Sequence, residues 1–353
     1  MNCIALFLPN WVGDVVMATP AIRAVRARFP DSRMLAVCRS YVAATLDGAL
    51  WFDAVIPFDK SGPFQNRATS VIRQLRRERI DAAVLFPNSF RTAAIAALGR
   101  CQRRVGFDRY GRGVLLTDKL YPIRDRHGVH TPHPTIDDYN RLVRPLGVPD
   151  PGHEMELFTT TADEVAADRV WHDLRLIAHR EVVCLNSSGA FGAAKLWPSE
   201  HFAALTRDLV DRRGCGVLVL CGPNERQTAR DIVRLADRKS VVSLAERPTS
   251  LGLTKACIRR CDLLVTTDSG PRHFAAAFGR PVVSLFGPTF IEWTETYYSK
   301  GINLQKKVPC GPCQLRACPL DHRCMRDLTT NEVLAAAEDL LQRFPLGGLR
   351  RAG

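Results

Sequence analysis

Long apolar runs are missing from this 353-residue sequence, and so is a recognisable export signal. No stretch approaches the roughly eighteen apolar residues that a membrane-spanning helix needs. Residues 1–9 lack the basic start and the small-residue cleavage site of a signal peptide, and their composition is that of a buried strand. With 46% hydrophobic and 24% charged residues, the composition is typical of a soluble globular protein. We therefore expect the protein to stay in the cytoplasm.

The glycine fingerprint of dinucleotide-binding enzymes is also missing. The loop after the first predicted strand reads PNWVGD over residues 9–14, without G-x-G-x-x-G. This absence disfavours a dehydrogenase, although a dehydrogenase could share the two-domain outline predicted below. A nucleotide-sugar epimerase is disfavoured as well, because the acid–base pairs that it needs are not identifiable.

Acidic residues are scarce between residues 64 and 112, in a chain whose net charge is +13. Only Glu78, Asp81 and Asp108 stand there against arginines at positions 67, 73, 76, 77, 79, 91, 100, 103, 104, 109 and 112. Such an excess attracts polyanions, such as anionic lipid headgroups or a phosphorylated glycan, unless it forms solvated helix faces. Because no aromatic platform or binding motif is interleaved with the arginines, we expect no nucleic-acid partner.

Cysteine, by contrast, is abundant, with twelve residues. The first eight, at positions 3, 38, 101, 184, 215, 221, 257 and 261, lie mostly in apolar runs and are expected to be buried free thiols. The last four have the spacing C-x2-C-x4-C-x5-C, with His322 alongside: Cys310, Cys313, Cys318 and Cys324. This spacing is compatible with a structural zinc site or with disulfide pairing under oxidation.

Short apolar runs alternate with amphipathic stretches in two parts of the chain. Strands are predicted at 3–8, 34–38, 53–58, 81–86 and 103–107, then at 181–186, 216–221, 240–244, 262–267 and 281–286. Helices are predicted near 15–28, 41–47, 65–79, 90–98 and 135–146, then near 199–212, 224–237, 250–259, 270–278 and 330–343. The charged, helical residues 160–178 mark the junction. This alternation predicts two α/β domains with parallel sheets, over residues 1–172 and 173–353.

Asp14 follows the first predicted strand, where a side chain points into a cleft rather than into the core. It can cap the helix that follows, or it can act as a general base that takes a proton from an acceptor hydroxyl. A single aspartate is able to serve both purposes.

Small and charged residues follow two strands of the second domain. Ser187 and Ser188 let backbone N–H groups approach an anion, and Lys195 offers a positive charge for a diphosphate unless it is a solvated surface residue. Glu225 can accept hydrogen bonds from ribose hydroxyls, or it can simply favour the first turn of a helix.

The segment 266–273, TTDSGPRH, joins a strand to a helix whose N-terminus forms an anion site. Asp268 can bind sugar hydroxyls, whereas Ser269 and Gly270 leave room for phosphates. His273 can contact the diphosphate or the sugar, the alternative being a histidine of the core.

Six segments in order across residues 1–340 resemble the heptosyltransferase family, and in particular its lipopolysaccharide heptosyltransferase II branch. They are PNWVGDVVMATP (9–20), FPNSF (86–90), RRVGF (103–107), AKLWP (194–198), TDSG with HFAAA (267–270 and 273–277) and LFGPT (285–289). The resemblance implies a GT-B fold, in which two Rossmann-like domains face a central cleft. It also implies that the first domain binds the acceptor, that the second binds ADP-heptose, and that transfer inverts the anomeric carbon.

The resemblance also assigns roles to residues. Asp14 matches the proposed base and Lys195 the lysine facing the donor phosphates, while Glu225 falls where the nucleoside is bound. The donor motif comprises Asp268, Ser269, Gly270 and His273, and candidates for the acceptor side are Asn10, Trp11, Lys60 and Arg91.

By the same resemblance, the acceptor is the lipopolysaccharide inner core, lipid A-Kdo-heptose, at the inner face of the cytoplasmic membrane. No cofactor or catalytic metal is required. Two departures concern the donor side: Ala190 stands where the family often has an acid, and Arg272 where an apolar residue is usual. The alternatives are a GT-B transferase with another nucleotide sugar or acceptor, and a non-catalytic binder of sugar nucleotides.

Overall fold

The computed structural model describes residues 1–59, 63, 66–124, 126, 131–189 and 191–345, which form two compact units. Unit 1 comprises Met1–Phe158 together with Glu292–Tyr297. Unit 2 comprises Thr159–Ile291 and the described chain from Tyr298 onward. The assignment of acceptor binding to one predicted domain and donor binding to the other stays a prediction.

Unit 1 contains a six-stranded parallel sheet with the strand order β3-β2-β1-β4-β5-β6. The strands are β1 Cys3–Phe7, β2 Arg33–Cys38, β3 Ala54–Pro57, β4 Ala82–Leu85, β5 Arg103–Phe107 and β6 Asp118–Leu120. The central strands β1 and β4 are buried along their whole length. Their unbroken apolar sequences are those expected of parallel strands that are covered on both faces.

The helices of unit 1 are α1 Val12–Met17, α2 Thr19–Arg28, α3 Ser40–Ala43, α4 Ala68–Glu78, α5 Phe90–Leu98 and α6 Thr135–Val143. Helices α1 to α5 connect successive strands, and α6 follows the last strand, β6. The helix predicted near 15–28 is two helices that meet at Ala18. Pro20 lies in the first turn of α2, where a missing N–H removes no intrahelical bond.

Unit 2 contains a second six-stranded parallel sheet, with the order β12-β11-β10-β7-β8-β9. The strands are β7 Val182–Asn186, β8 Gly216–Leu220, β9 Val241–Ser243, β10 Leu263–Thr267, β11 Val282–Phe286 and β12 Gly301–Gln305. The helices are α7 Thr161–Asp173, α8 Ser199–Arg213, α9 Arg226–Ala236, α10 Leu251–Arg260, α11 Gly270–Ala277, α12 Arg323–Arg326 and α13 Thr330–Arg343.

The prediction of two parallel α/β sheets is therefore confirmed. The two strands that the prediction missed, β6 and β12, occupy sheet edges and are not fully buried. Their sequences, DKL and GINLQ, lack a continuous apolar run because only part of each strand packs against the core.

The first eight cysteines are buried free thiols, as predicted.

The expectation that the arginines of residues 64–112 are surface charges is wrong for Arg112, which is fully buried. Its guanidinium donates to the carbonyls of Phe107 (2.8 Å) and Pro87 and to the Asn88 side chain (2.9 Å). Burial lowers the pKa of Arg112 to about 10. This arginine crosslinks the loops that follow β4 and β5. Within the described part of the chain, no helix is long and apolar enough to cross a bilayer.

Candidate functional site

Asp14 lies in the first turn of α1, directly after β1, and its carboxylate is half-buried. The helix N-cap is Trp11 rather than Asp14, and the Trp11 side chain makes no capping bond. The Tyr139 hydroxyl on α6 donates a hydrogen bond to Asp14 Oδ1 at 3.3 Å. Burial, reinforced by the Asp14 charge, raises the pKa of Tyr139 well above its usual value, so the phenol stays protonated and remains a donor.

The sequence analysis did not identify Tyr139 as a site residue. The segment was predicted as a helix, but the role of one tyrosine depends on how α6 packs against β4 and β5. There its ring meets Phe86 edge-on at 5.3 Å between centroids. A half-buried carboxylate at the carboxyl end of a parallel strand, held by a neutral donor, is suited to accept a proton.

The other acceptor-side candidates of the described chain lie at the same edge of the unit 1 sheet. Asn10 accepts a hydrogen bond from Arg39 Nε at 3.1 Å, and Trp11 is 48% exposed. Arg91 is exposed in the first turn of α5, with its guanidinium 4.9 Å from the centre of the Phe58 ring. Lys60 lies outside the described residues. Contact of these side chains with an acceptor stays a prediction.

In unit 2, Lys195 and Asp268 form a buried ion pair, with 2.5 Å between Nζ and Oδ2. Asp268 also accepts from the Thr289 hydroxyl (2.8 Å) and lies 3.5 Å from the Arg272 guanidinium. Burial opposes ionisation of this carboxyl, but the charges of Lys195 and Arg272 outweigh it and hold the pKa of Asp268 below its usual value. The site thus contains a charged carboxylate between two buried cations.

Hydroxyl groups gather beside this ion pair, where β7 and β10 end. The Asn186 amide donates to the hydroxyls of Ser188 (3.2 Å), Thr266 (2.9 Å) and Ser269 (2.9 Å). The Ser187 hydroxyl is buried and has no hydrogen-bond partner among the described residues. A buried hydroxyl without a partner carries a desolvation cost that a ligand oxygen would relieve.

The N-terminus of α11 lies beside the same group of hydroxyls, because Ser269 belongs to both. Ser269 is its N-cap but makes no side-chain capping bond, and Gly270 is the first helical residue. The N–H groups of a first helical turn lack acceptors within the helix and carry the positive end of its dipole. The Lys195 ammonium donates to the Asp268 carbonyl at 3.1 Å and so lies close to this helix end. The ammonium and the free N–H groups together have the chemistry of an anion site.

Two further donor-side candidates are more constrained than their sequence indicates. His273 is buried, and burial, together with the Arg272 charge, lowers its pKa well below the usual value. Its imidazole is therefore neutral at pH 7 and cannot supply a positive charge to a diphosphate. Glu225 lies in the first turn of a short 3-10 helix, in line with the first-turn role considered for it, and it also accepts a hydrogen bond from the Gly222 N–H at 2.9 Å. Whether it also contacts a nucleoside stays a prediction.

The loop that carries Lys195 is braced by the cysteine-containing segment 310–324. The Arg316 carbonyl accepts from the Ala194 N–H at 3.0 Å, and the His322 ring bonds the Ala194 carbonyl at 2.7 Å. Phe191 packs against both Lys195 and Arg316, whose charged groups lie 4.9 and 5.5 Å from its ring centre. The sequence placed this segment after the donor loops but gave no sign that it contacts them.

The four clustered thiols are free, and one of them, Cys324, is buried. Burial raises the pKa of the Cys324 thiol, and the neighbouring Cys318, Cys310 and Cys313 add to the shift. Across the described residues, no three His, Cys, Asp or Glu side chains are arranged to hold a metal ion. The structure therefore adds no support for a structural zinc at these cysteines, and zinc binding stays a prediction.

The comparisons with known proteins agree with this geometry. The sequence profile of glycosyltransferase family 9 (heptosyltransferase) matches residues 68–323. Lipooligosaccharide heptosyltransferase 2 of Campylobacter jejuni is 25% identical over 350 residues, which cover 97% of this chain and 99% of the relative.

Two solved structures share the fold of the chain. One is the ADP-heptose LPS heptosyltransferase II of Escherichia coli, with a TM-score of 0.76, 23% identity, and coverage of 97% of this chain and 99% of that one. The other is a family 9 glycosyl transferase from Veillonella parvula, with a TM-score of 0.80, 22% identity and 97% coverage of both chains. The fold is thus GT-B, and the chain belongs to glycosyltransferase family 9, the heptosyltransferase family.

Proposed function

We propose that this glycosyltransferase moves heptose from ADP-heptose to the inner core of lipopolysaccharide, with inversion at the anomeric carbon. The observation that carries the proposal is the buried Lys195 ammonium beside the N-terminus of α11, an arrangement that fits the diphosphate of a nucleotide sugar. The names of the C. jejuni and E. coli relatives supply the sugar and the acceptor class.

In the proposed reaction, Asp14 takes the proton of an acceptor hydroxyl while that oxygen bonds to C1 of the heptose. The bond between C1 and the diphosphate oxygen breaks on the opposite face, and ADP leaves with the electron pair. Tyr139 keeps the Asp14 carboxylate oriented through its 3.3 Å hydrogen bond. Removing a general base lowers the rate by about 10²–10⁴.

Positive charge on the donor side stabilises the leaving ADP. Lys195 and the first-turn N–H groups of α11 supply that charge. The helix fixes the N–H groups, and Asp268 holds Lys195 beside them until the diphosphate takes its place. The neutral His273 and the hydroxyls of Ser187, Ser188 and Ser269 offer hydrogen bonds rather than charge.

We further propose that the enzyme acts as a peripheral protein at the cytoplasmic face of the inner membrane. The relatives' names specify lipopolysaccharide, a lipid-anchored glycan, so an enzyme that uses it must reach a substrate held in a membrane. The basic charge of the chain, +13 overall, supports an encounter with an anionic membrane surface.

The test is to incubate the purified enzyme with ADP-heptose and a mono-heptosylated core acceptor, following ADP release and product mass. Asp14→Asn and Lys195→Met serve as matched variants, and donor binding is measured separately by calorimetry. We expect transfer by the wild type, donor binding without transfer by Asp14→Asn, and weakened donor binding by Lys195→Met. If the wild type binds no ADP-heptose, the proposed donor is wrong. If the wild type binds ADP-heptose but transfers nothing to this acceptor, the proposed acceptor is wrong.

A further inference from the structure

The exposed aromatic side chains of the described residues all belong to unit 1. Apart from Tyr297, which packs on the start of α6, they are Trp11, Tyr41, Phe90, Tyr110 and Tyr121, each between 48% and 74% exposed. In unit 2, every described Phe, Tyr and Trp is buried or half-buried. The difference is not one of composition alone, because unit 2 exposes several aliphatic side chains, such as Ile177 and Leu320.

The strand order places these five aromatics at one edge of the sheet. Each follows the carboxyl end of a different strand: Trp11 follows β1, Tyr41 β2, Phe90 β4, Tyr110 β5 and Tyr121 β6. Because the strands are parallel, their carboxyl ends share one edge, and six strands spaced about 4.8 Å apart span about 24 Å.

Arginines stand between the aromatics along this edge. Arg39 lies beside Tyr41, Arg91 beside Phe90 and Arg109 beside Tyr110, with the Arg109 guanidinium 5.7 Å from the Tyr110 ring centre. We name the five aromatics and these three arginines the aromatic–arginine rim. The sequence analysis named Trp11 and Arg91 as acceptor-side candidates and counted Arg109 in the basic excess, but it did not identify the rim. Its residues are scattered over about a hundred positions and are brought together only by the strand order.

The described acidic groups at the same edge are mostly engaged by neighbouring groups. Asp137 and Asp138, in the first turn of α6, pair with His153 and Arg141. Asp59 accepts hydrogen bonds from the Ser40 hydroxyl (2.5 Å) and the Asn66 amide (3.0 Å). Asp108 lies against Gly113, and Asp14 is the proposed base, bonded to Tyr139. Among the described residues, the rim therefore presents exposed aromatic rings and arginine cations beside carboxylates that are half-buried.

We propose that the aromatic–arginine rim docks unit 1 on an anionic bilayer surface. Tryptophan and tyrosine favour the interface between headgroups and acyl chains, and arginine reaches anionic headgroups while its stem lies among apolar groups. The proposal rests on the proposed function, because a lipid-anchored acceptor requires the edge that carries Asp14 to come close to a membrane. It adds to that function the surface that makes contact.

The amino edge of the same sheet provides a matched control. Leu50, 93% exposed, precedes β3, and Leu98, 54% exposed, ends α5. These side chains are as exposed as the rim aromatics, but they are aliphatic. Replacing them removes exposed apolar area without touching the rim.

The experiment is vesicle co-sedimentation of the full-length enzyme without acceptor. One vesicle contains phosphatidylethanolamine alone, and the other contains phosphatidylethanolamine mixed with phosphatidylglycerol. The rim variant is Tyr110→Ser with Tyr121→Ser, chosen because these residues are distant in sequence from Asp14 and β1. The control is Leu50→Ser with Leu98→Ser. A third variant, Arg109→Gln, tests the charge.

We expect the wild type and the control to bind only the anionic vesicles, and more weakly as salt rises. The double tyrosine variant should bind at least about tenfold more weakly, and the Arg109→Gln variant about fivefold more weakly. Transfer to an acyl-free, water-soluble acceptor should be unchanged in the double tyrosine variant, whereas transfer to the same acceptor in vesicles should fall.

Equal vesicle binding by the rim variant and the wild type would overturn the proposal. An equal loss of transfer to the acyl-free acceptor would instead identify the rim as a sugar-stacking surface. Binding of a single-stranded oligonucleotide that exceeds vesicle binding and is lost in the rim variant would identify it as a nucleic-acid surface, and would also overturn the proposal. Vesicle binding that depends on the rim, in an enzyme that transfers no heptose, would support membrane docking by the rim and refute the proposed function.

Discussion

Replacing Tyr139 by phenylalanine isolates the hydrogen bond to Asp14. The change removes one oxygen and keeps the ring that packs on Phe86. A hydrogen bond to a charged group contributes about 1.5–3 kcal/mol, but at 3.3 Å this one is longer than a typical O–H···O bond. We therefore take its contribution as about 1 kcal/mol, which corresponds to an approximately fivefold loss of kcat/KM on the acid side of the pH profile.

The pH dependence gives a second and more specific signature. A donated hydrogen bond stabilises the charged form of a carboxylate, so its loss makes protonation of that carboxylate easier. The acid limb of the kcat/KM profile should then move to higher pH by about 0.7 unit, since one unit corresponds to about 1.4 kcal/mol. Activity is thus lost sooner as the pH falls, while the plateau at higher pH changes less.

The assay is initial-rate transfer over a pH series, with thermal melting of each variant as a check on folding. Tyr298→Phe is the matched control, because its hydroxyl donates to the Arg280 carbonyl at 3.0 Å within unit 2, among groups with no proposed role in proton transfer. It should cost stability without moving the acid limb. An unmoved acid limb in Tyr139→Phe, or an equal shift in the control, would refute the positioning role.

Three other changes test unit 2. A methyl group on Gly192 would lie 2.2 Å from the Arg316 carbonyl oxygen, so Gly192→Ala should lower kcat/KM by about tenfold or more. The control Gly301→Ala has room for its methyl group and should leave kcat/KM unchanged. Equal rates for the two variants would show that the contact between segment 310–324 and the Lys195 loop does not position that loop. Lys195→Met should lower kcat by about 10²–10³, and a loss confined to the acceptor KM would contradict its donor role. Because the folded pKa of Asp268 is depressed, its contribution to stability is present above the unfolded value of about 3.9 and is lost as the pH falls through the folded value. Asp268→Asn should therefore flatten the acid side of the urea midpoint plotted against pH, and a steeper acid side would contradict the assignment.

What the sequence predicted well depends on signals that are local. Strands such as β1 and β10 are short apolar runs, and the polar groups that follow them, Asp14 and Asp268, lie at the strand ends because the chain must turn there. Parallel strands then bring these ends to one edge, so the candidate positions followed from the alternation of strands and helices.

What the sequence did not predict depends on packing between distant segments. Tyr139 meets Asp14 across 125 positions, and Arg112 reaches Pro87 and Asn88 in the loop after β4, which precede it by 25 and 24 positions. The brace between Arg316 and Ala194 is another such contact. An arginine or tyrosine in a single sequence carries no mark that separates a buried crosslink from a solvated side chain, so composition counted Arg112 with the surface charge.

The buried triad of Lys195, Asp268 and Arg272 has a consequence for the proposed reaction. A charge buried without a partner is costly, so Lys195 is held by Asp268 until another anion replaces it. When a diphosphate takes the ammonium, Asp268 loses its shortest contact and would become a poorly compensated buried carboxylate. Arg272, 3.5 Å from Asp268 and stacked 4.9 Å from the Phe286 ring centre, stays beside it, as does the Thr289 hydroxyl. If Lys195 binds the donor as proposed, the arginine that departs from the expected apolar residue lowers the free-energy cost of releasing Lys195 from Asp268.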